Sequence, residues 1–182
     1  ASADAKRFQE LLALFQKYGP QYGFDPLMLA AQGYQESQLN QQAKSHVGAI
    51  GVMQIMPATG AELKVGDIHV TEANIHGGAK YMDQLMTRYF KDADFSPSNR
   101  ALIAFASYNA GPGNIAKMRK EAQKRGLDPN KWFNNVELVT AERIGIETTT
   151  YVRNIFKYYT SYKLSLEALQ ERDKARGGLP KK

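Results

Sequence analysis

Apolar residues along this chain recur with a helical period almost throughout, and the places where the period fails stand out clearly. Phe8, Leu11, Leu12 and Phe15 fall at i, i+3, i+4 and i+7, which predicts an amphipathic helix over Lys6 to Tyr18 that stops at Gly19-Pro20. Asp25-Pro26 then supplies a capping acid and a first-turn proline for a second helix that is apolar from Pro26 to Tyr34. A Gly-rich stretch from Ser45 to Gly51 breaks the pattern, and Pro57 opens a short helix. Thr71 is expected to cap a longer one with Ile75, Met82, Leu85, Met86 and Tyr89 turned inward, and Ser96-Pro97 starts another. In that last helix, Arg100 to Tyr108, the run Ala101-Leu102-Ile103-Ala104-Phe105-Ala106 is apolar on every side, so it is expected to be the buried central helix. Pro112, the pair Trp132 and Phe133, and the stripe Tyr151, Ile155, Phe156, Tyr159 and Tyr162 mark three later helical segments. No alternating strand of useful length, repeat or linker intervenes. The segment Glu171 to Pro180 reads as a frayed end. The pattern therefore predicts one mainly α domain over residues 1–170 and a flexible basic tail over 171–182.

Composition changes this picture little. At 182 residues, 43% hydrophobic and 23% charged, the chain is long enough for one sizeable core. No apolar run approaches the roughly 20 residues of a membrane span. The start Ala1-Ser2-Ala3-Asp4 has neither an initial Met nor an apolar signal core, and reads as processed or trimmed; this says nothing against export. The absence of Cys excludes disulfides, thiol catalysis and Cys-ligated metals, while leaving cytoplasm and periplasm equally open.

The net charge of +6 suits an acidic polymer as partner. Its distribution argues against nucleic acid. Lys117, Arg119, Lys120, Lys124 and Arg125 read as one solvated helix face, and Arg172, Lys174, Arg176, Lys181 and Lys182 as a loose tail, neither interleaved with stacking aromatics. His46, His69 and His76 are scattered, without the spacing of metal ligands, so no metal is expected. Gly77-Gly78 lies inside a helical pattern and reads as a close-packing site, since no strand precedes it and no Lys-Ser/Thr follows.

The chemistry concentrates elsewhere. Glu36 stands at the end of the apolar helix, directly before a polar break, Ser37-Gln38-Leu39-Asn40. A carboxyl carried to the edge of a core loses hydration and holds its proton, so its pKa should rise toward that of a general acid. Two further segments join small residues to hydrogen-bonding side chains: Gly48 to Pro57, and Ala106-Ser107-Tyr108-Asn109-Ala110-Gly111. Small residues let a ligand approach the backbone, and amides or phenols can orient it.

Glu36-Ser37, Gly51-Val52-Met53-Gln54 and Ser107-Tyr108-Asn109-Ala110-Gly111, in this order, resemble the hallmarks Glu-Ser, Gly-Leu-Met-Gln and Ala-Tyr-Asn-Ala-Gly of the Slt-type lytic transglycosylases, bacterial enzymes that cleave peptidoglycan. Val for Leu and Ser for Ala are mild departures. Glu147 to Val152 is similar to the segment that brings a late active-site Tyr, here Tyr151. The resemblance runs from about Tyr22 to Tyr162, and the flanking sequence looks most like the C-terminal catalytic domain of the membrane-bound F-type branch.

The resemblance implies a lysozyme-like helical fold with a saccharide-binding groove, and Glu36 as the catalytic acid. It implies substrate contacts from Ser37, Met53, Gln54, Tyr108, Asn109 and Tyr151: Ser37 to orient Glu36, Met53 as a soft contact beneath a sugar ring, the amides for the N-acetyl group or hydroxyls, and the two Tyr residues to position Glu36 or the sugar. Each of these also has a plain structural use, as a helix-end hydroxyl, core filling or a core ring with a wet hydroxyl. No cofactor is implied. The expected partner is peptidoglycan glycan strands, met by a monomer in the periplasm, with outer-membrane association and an additional domain in a longer protein. Two alternatives stay open: a lysozyme-like hydrolase, which would need a held water and usually a second acid, and a peptidoglycan-binding module without turnover.

Overall fold

A computed structural model describes residues 3–178. Among the described residues there are eight α-helices: α1 (Ala3–Gln21), α2 (Pro26–Ser37), α3 (Pro57–Leu63), α4 (Thr71–Tyr89), α5 (Pro97–Ala110), α6 (Pro112–Lys124), α7 (Glu137–Arg143) and α8 (Ile146–Gly177). A wide turn, Trp132–Val136, precedes α7, with Asn134 left-handed at φ 61°. Among the described residues there is no strand, and the only β-type pairs are the isolated bridges Lys44 with Ile50 and Ile50 with Ile55.

The capping chemistry starts these helices where it was expected in two cases. The Asp25 carboxylate accepts from Leu27 N at 2.8 Å, and the Ser96 hydroxyl from Asn99 N at 3.2 Å, with Pro26 and Pro97 in the first turns. At α4 the expectation fails: Val70 is the cap and Thr71 the first helical residue. Helix α1 also runs past the expected stop. Pro20 sits in its final turn, and the chain reverses through Phe24 N donating to the Gly19 carbonyl at 2.9 Å. A Cβ at Gly19 would come within 2.8 Å of the Phe24 carbonyl oxygen, so glycine permits the tight passage into α2.

Helix α5 is the buried centre. Ala101 to Ser107 are all buried, and α4, α6 and α8 pack around it. Arg100 at its start bonds Asp83 of α4 at 2.6 Å and lies over the Phe24 ring. Gly77 and Gly78 let α4 close onto the 50–55 loop: a Cβ at Gly78 would meet Met53 Cγ at 2.6 Å, and one at Gly77 would meet Ile55 Cδ1 at 3.0 Å. Tyr89, expected inside, is instead 54% exposed at the last residue of α4, where the helix has passed the end of the core.

The end of the chain departs from the expected fraying. Helix α8 continues to Gly177, so residues 171–177 are helical, though exposed. Lys174 and Arg176 stand in its last turn, where cations favour the helix C-terminus. Residues 179–182 lie outside the described residues. The basic face expected on α6 is also broken up. Arg119 turns inward to the Pro129 carbonyl and Asn130 and over Phe95, and Arg125 is held by Glu121 and Glu142.

Candidate active site

Helix α2 delivers Glu36 in its last turn, partly buried between the helix end and the loop that follows. Loss of hydration alone raises its carboxyl to about 7; no neighbouring carboxylate enters the balance. Tyr108 from α5 and Tyr151 from α8 are the phenols that feel it. Burial first, and then the Glu36 charge, push both hydroxyls well above the ordinary phenol value, so both stay protonated.

The loop carrying Gly51 to Gln54 is fixed from all sides by hydrogen bonds. Ile50 and Ile55 exchange backbone bonds at 2.9 and 3.0 Å, closing a small hairpin. Asn74 on α4, fully buried, accepts from Met53 N at 2.8 Å and donates to the Ile50 and Ile68 carbonyls, each at 2.9 Å. Gln41 accepts from Val52 N at 3.1 Å. Tyr108 donates to the Met53 carbonyl at 2.6 Å, and its ring meets Tyr81 edge-on. Gly51 has φ 79°, and a Cβ there would lie 2.6 Å from Gln41 Oε1, so that position tolerates no side chain.

All six residues assigned to substrate from sequence have partners within the protein, Tyr108 through the Met53 carbonyl. The Ser37 hydroxyl donates to the Val52 carbonyl at 2.8 Å and accepts from Asn40 N at 3.2 Å, which ties the end of α2 to the loop. Met53 has no exposed surface. Its side chain fills the notch left by Gly78. Gln54, at φ 51°, donates from Nε2 to the Gly51 carbonyl at 2.9 Å. Asn109 is exposed at the end of α5, and its Oδ1 accepts from the Thr148 hydroxyl at 2.8 Å. Tyr151 is buried and accepts from Gln32 Nε2 at 3.3 Å.

Gln32, Gln41, Asn74 and Thr148 are the residues the sequence did not single out. Gln32 and Asn74 do leave a trace there, as amides at inward positions of otherwise apolar helix faces. Two of the three His residues have partners: His69 pairs with Asp67, and His76 stacks on Tyr18 and bonds Tyr22. Among the described residues no three His, Cys, Asp or Glu side chains gather as a metal site would require. A cavity of about 510 Å³ between α1 and α8 has mostly apolar walls, including Phe8, Leu12, Tyr34, Tyr162 and Leu169, and does not reach Glu36.

The site thus combines a desolvated glutamate with two buried phenols and a glycine-turned loop on a helical domain, and the chain belongs to the transglycosylase SLT domain family, whose model matches residues 13–131. It is 33% identical over 181 residues to membrane-bound lytic murein transglycosylase F of Desulfosudis oleivorans, covering 88% of this chain and 39% of that protein. With the namesake from Thiobacillus denitrificans it shares 38% identity over 127 residues, 70% of this chain and 27% of the other. Among solved structures, it superposes with a TM-score of 0.64 at 29% identity on an inactive glutamate-to-glutamine variant of lytic transglycosylase Slt from Pseudomonas aeruginosa, over 86% of this chain and 24% of that one. The 70 kDa soluble lytic transglycosylase of Escherichia coli gives 0.60 at 26% identity, over 85% and 24%. The chain thus spans well under half the length of these relatives.

Proposed function

We propose that this domain is a peptidoglycan lytic transglycosylase that cleaves the MurNAc–GlcNAc β-1,4 bond without water, with Glu36 as both acid and base. The observation that carries this is the solitary carboxyl whose pKa burial alone lifts to about 7. Such a group is substantially protonated at neutral pH and can give its proton to the glycosidic oxygen. Hydrolysis by the usual two-carboxylate route needs a second acid to activate water or attack the sugar, and none contributes to the electrostatics of Glu36. A transglycosylase does without one. The muramoyl N-acetyl group assists departure of the leaving sugar; the Glu36 carboxylate then takes the C6 hydroxyl proton as that oxygen closes onto C1. Atoms balance without water, and the products are a 1,6-anhydromuramoyl end and a free GlcNAc 4-hydroxyl.

The surrounding groups fit this division of work. Tyr151 offers a neutral phenol for the reacting groups, while Tyr108 holds the Met53 carbonyl of the neighbouring loop. Asn109, with Oδ1 bound by Thr148, presents its NH₂ toward solvent for a sugar hydroxyl or acetyl oxygen, and the Gln54 Oε1 is left to accept from an acetamido N–H. Ser37 and Met53 serve by holding the loop. Murein is in the names of the relatives, and for this chain the partner is taken to be glycan strands in the periplasm; outer-membrane attachment would belong to a longer protein. No described helix is long and apolar enough to cross a membrane. The test is Glu36→Gln assayed on purified sacculi. Turnover should fall by about 10² or more while the variant still sediments with sacculi; near-normal lysis would overturn the assignment.

A further inference from the structure

On α4, Tyr81, Gln84 and Arg88 fall at i, i+3 and i+7 and so share one face. That face, with Thr59 and Glu62 of α3 and Pro112 at the start of α6, lines a pocket of about 240 Å³. Its walls are held in place, since Lys80 Nζ donates to the Leu63 carbonyl at 2.7 Å and so ties the end of α3 to α4. They also continue directly from the site. Helix α3 begins three residues after Gln54, and Pro112 lies three residues after Asn109. The Tyr81 ring meets edge-on, at 5.4 Å, the ring of Tyr108, whose hydroxyl holds the Met53 carbonyl. Three residues of chain span at most about 10 Å, so the pocket wall at Pro112 stands within that distance of Asn109.

Two opposite charges border this pocket, and neither is neutralised. Glu62 and Arg88 make no ion pair with each other, and no hydrogen bond or ion pair with any other group among the described residues. Arg7, Arg100, Arg119, Arg125, Arg143 and Arg153 each have an acceptor within the protein, whereas Arg88, in the same folded body, has none among the described residues. A cation and an anion held apart across one pocket match a ligand that carries both charges in the opposite order. GlcNAc is uncharged, and so is the muramoyl sugar once its lactyl carboxyl is joined to a peptide, so the ionised groups of peptidoglycan lie on its peptide stems. We propose that this pocket receives the peptide stem of the muramoyl residue, with Arg88 on a carboxylate and Glu62 on the free ammonium of a diamino acid in the stem. This rests on the reading of the site given above. An extended peptide advances about 3.3–3.6 Å per residue, so the second or third residue of the stem covers the distance from Asn109 to Pro112. The side chains of Thr59, Tyr81 and Gln84 also have no hydrogen-bond partner among the described residues, which leaves them for the amides of the stem.

The test uses two substrates: uncrosslinked glycan strands whose stems contain a diamino acid, and the same strands after an amidase has removed the stems. Arg88→Gln should lower kcat/KM about tenfold on stemmed strands, the scale of one hydrogen bond to a charged group, and by less than about twofold on bare ones. Glu62→Gln should lose a similar factor on stemmed strands. Acetylating the stem ammonium should cost wild type that same factor and leave Glu62→Gln unaffected. Both side chains are exposed and unpartnered, so thermal melts of the variants should match wild type. Equal losses on both substrates would make the pocket a sugar site and overturn the proposal, as would an undiminished Arg88→Gln or an acetylated substrate that wild type turns over normally. Affinity separates this proposal from the assignment of Glu36. In the Glu36→Gln background, calorimetry with soluble stemmed and bare strands should show Arg88→Gln weakening only the stemmed ones, by about tenfold. Turnover persisting in Glu36→Gln would refute the acid and leave that contrast standing; an absent contrast with Glu36→Gln inactive would refute the pocket alone.

Discussion

Glu36→Gln should make the protein more stable as well as inactive, and by an amount that depends on pH in a defined way. The folded carboxyl has its pKa raised from 4.5 to about 7 by burial. Between these values the folded state binds a proton that the unfolded chain has released, so stability declines as pH rises through that window. Below about 4.5 the carboxyl is neutral in both states and the cost vanishes; above about 7 the full cost is present. A difference of about 2.5 pH units at about 1.4 kcal/mol each gives roughly 3 kcal/mol as an upper figure, and solvent reaching the partly exposed group reduces it toward 1–2 kcal/mol, on the order expected for an effective dielectric above that of dry protein. Gln keeps the shape and carries no charge at any pH, so all other titrations cancel in the comparison. Urea unfolding of wild type and variant at pH 4 and pH 8.5 measures it: curves that nearly coincide in acid should separate at alkaline pH by about 1–3 kcal/mol in favour of the variant. A stability difference that does not change with pH, or one that favours wild type in alkali, would refute the claim that Glu36 is held in a desolvating site at functional expense.

Three further outcomes are expected. The alkaline limb of kcat/KM should fall with a midpoint near 7, because the first step needs protonated Glu36 and the free enzyme loses that proton as pH rises; a rate–pH profile checks this, and undiminished activity well above that value would contradict it. Asn74→Ala should cost about 3 kcal/mol or more by leaving Met53 N and the Ile50 and Ile68 carbonyls without their partner, which thermal and urea melts would show together with lost turnover as the loop slackens. Activity should persist in excess chelator, since the step draws its nucleophile from the substrate; loss on chelation with recovery on adding back one metal would count against the mechanism.

Much of the fold was written in local signals. Phe8 to Phe15, the capped starts at Asp25 and Ser96 and the all-apolar run within α5 depend on neighbours in sequence, and each formed as its pattern required. Thr71, Tyr89 and the end of α8 went otherwise because they are settled by where the core ends and by helix-favouring charges, which a period cannot show. The desolvation of Glu36 was legible because an apolar helix points at its own last turn. The placement of Met53 was not legible because a loop has no period to say which way a side chain faces, and its deciding partner, Gly78, is on another helix; the tie from Ser37 to the Val52 carbonyl spans 15 residues and shows only in the packed structure. Gln32 and Asn74 act on groups from 6 to 119 residues away, so their roles emerge only once α2, α4 and α8 are packed together.

The central claim is that the sugar's own C6 hydroxyl, and not water, receives the broken bond. Digestion of purified sacculi in ¹⁸O-labelled water, with mass spectrometry of the released muropeptides, tests it most directly. The account predicts 1,6-anhydromuramoyl ends, lighter by one water than reducing ends and free of label, formed by wild type and absent with Glu36→Gln. Reducing muramoyl ends carrying ¹⁸O would identify a hydrolase and contradict it.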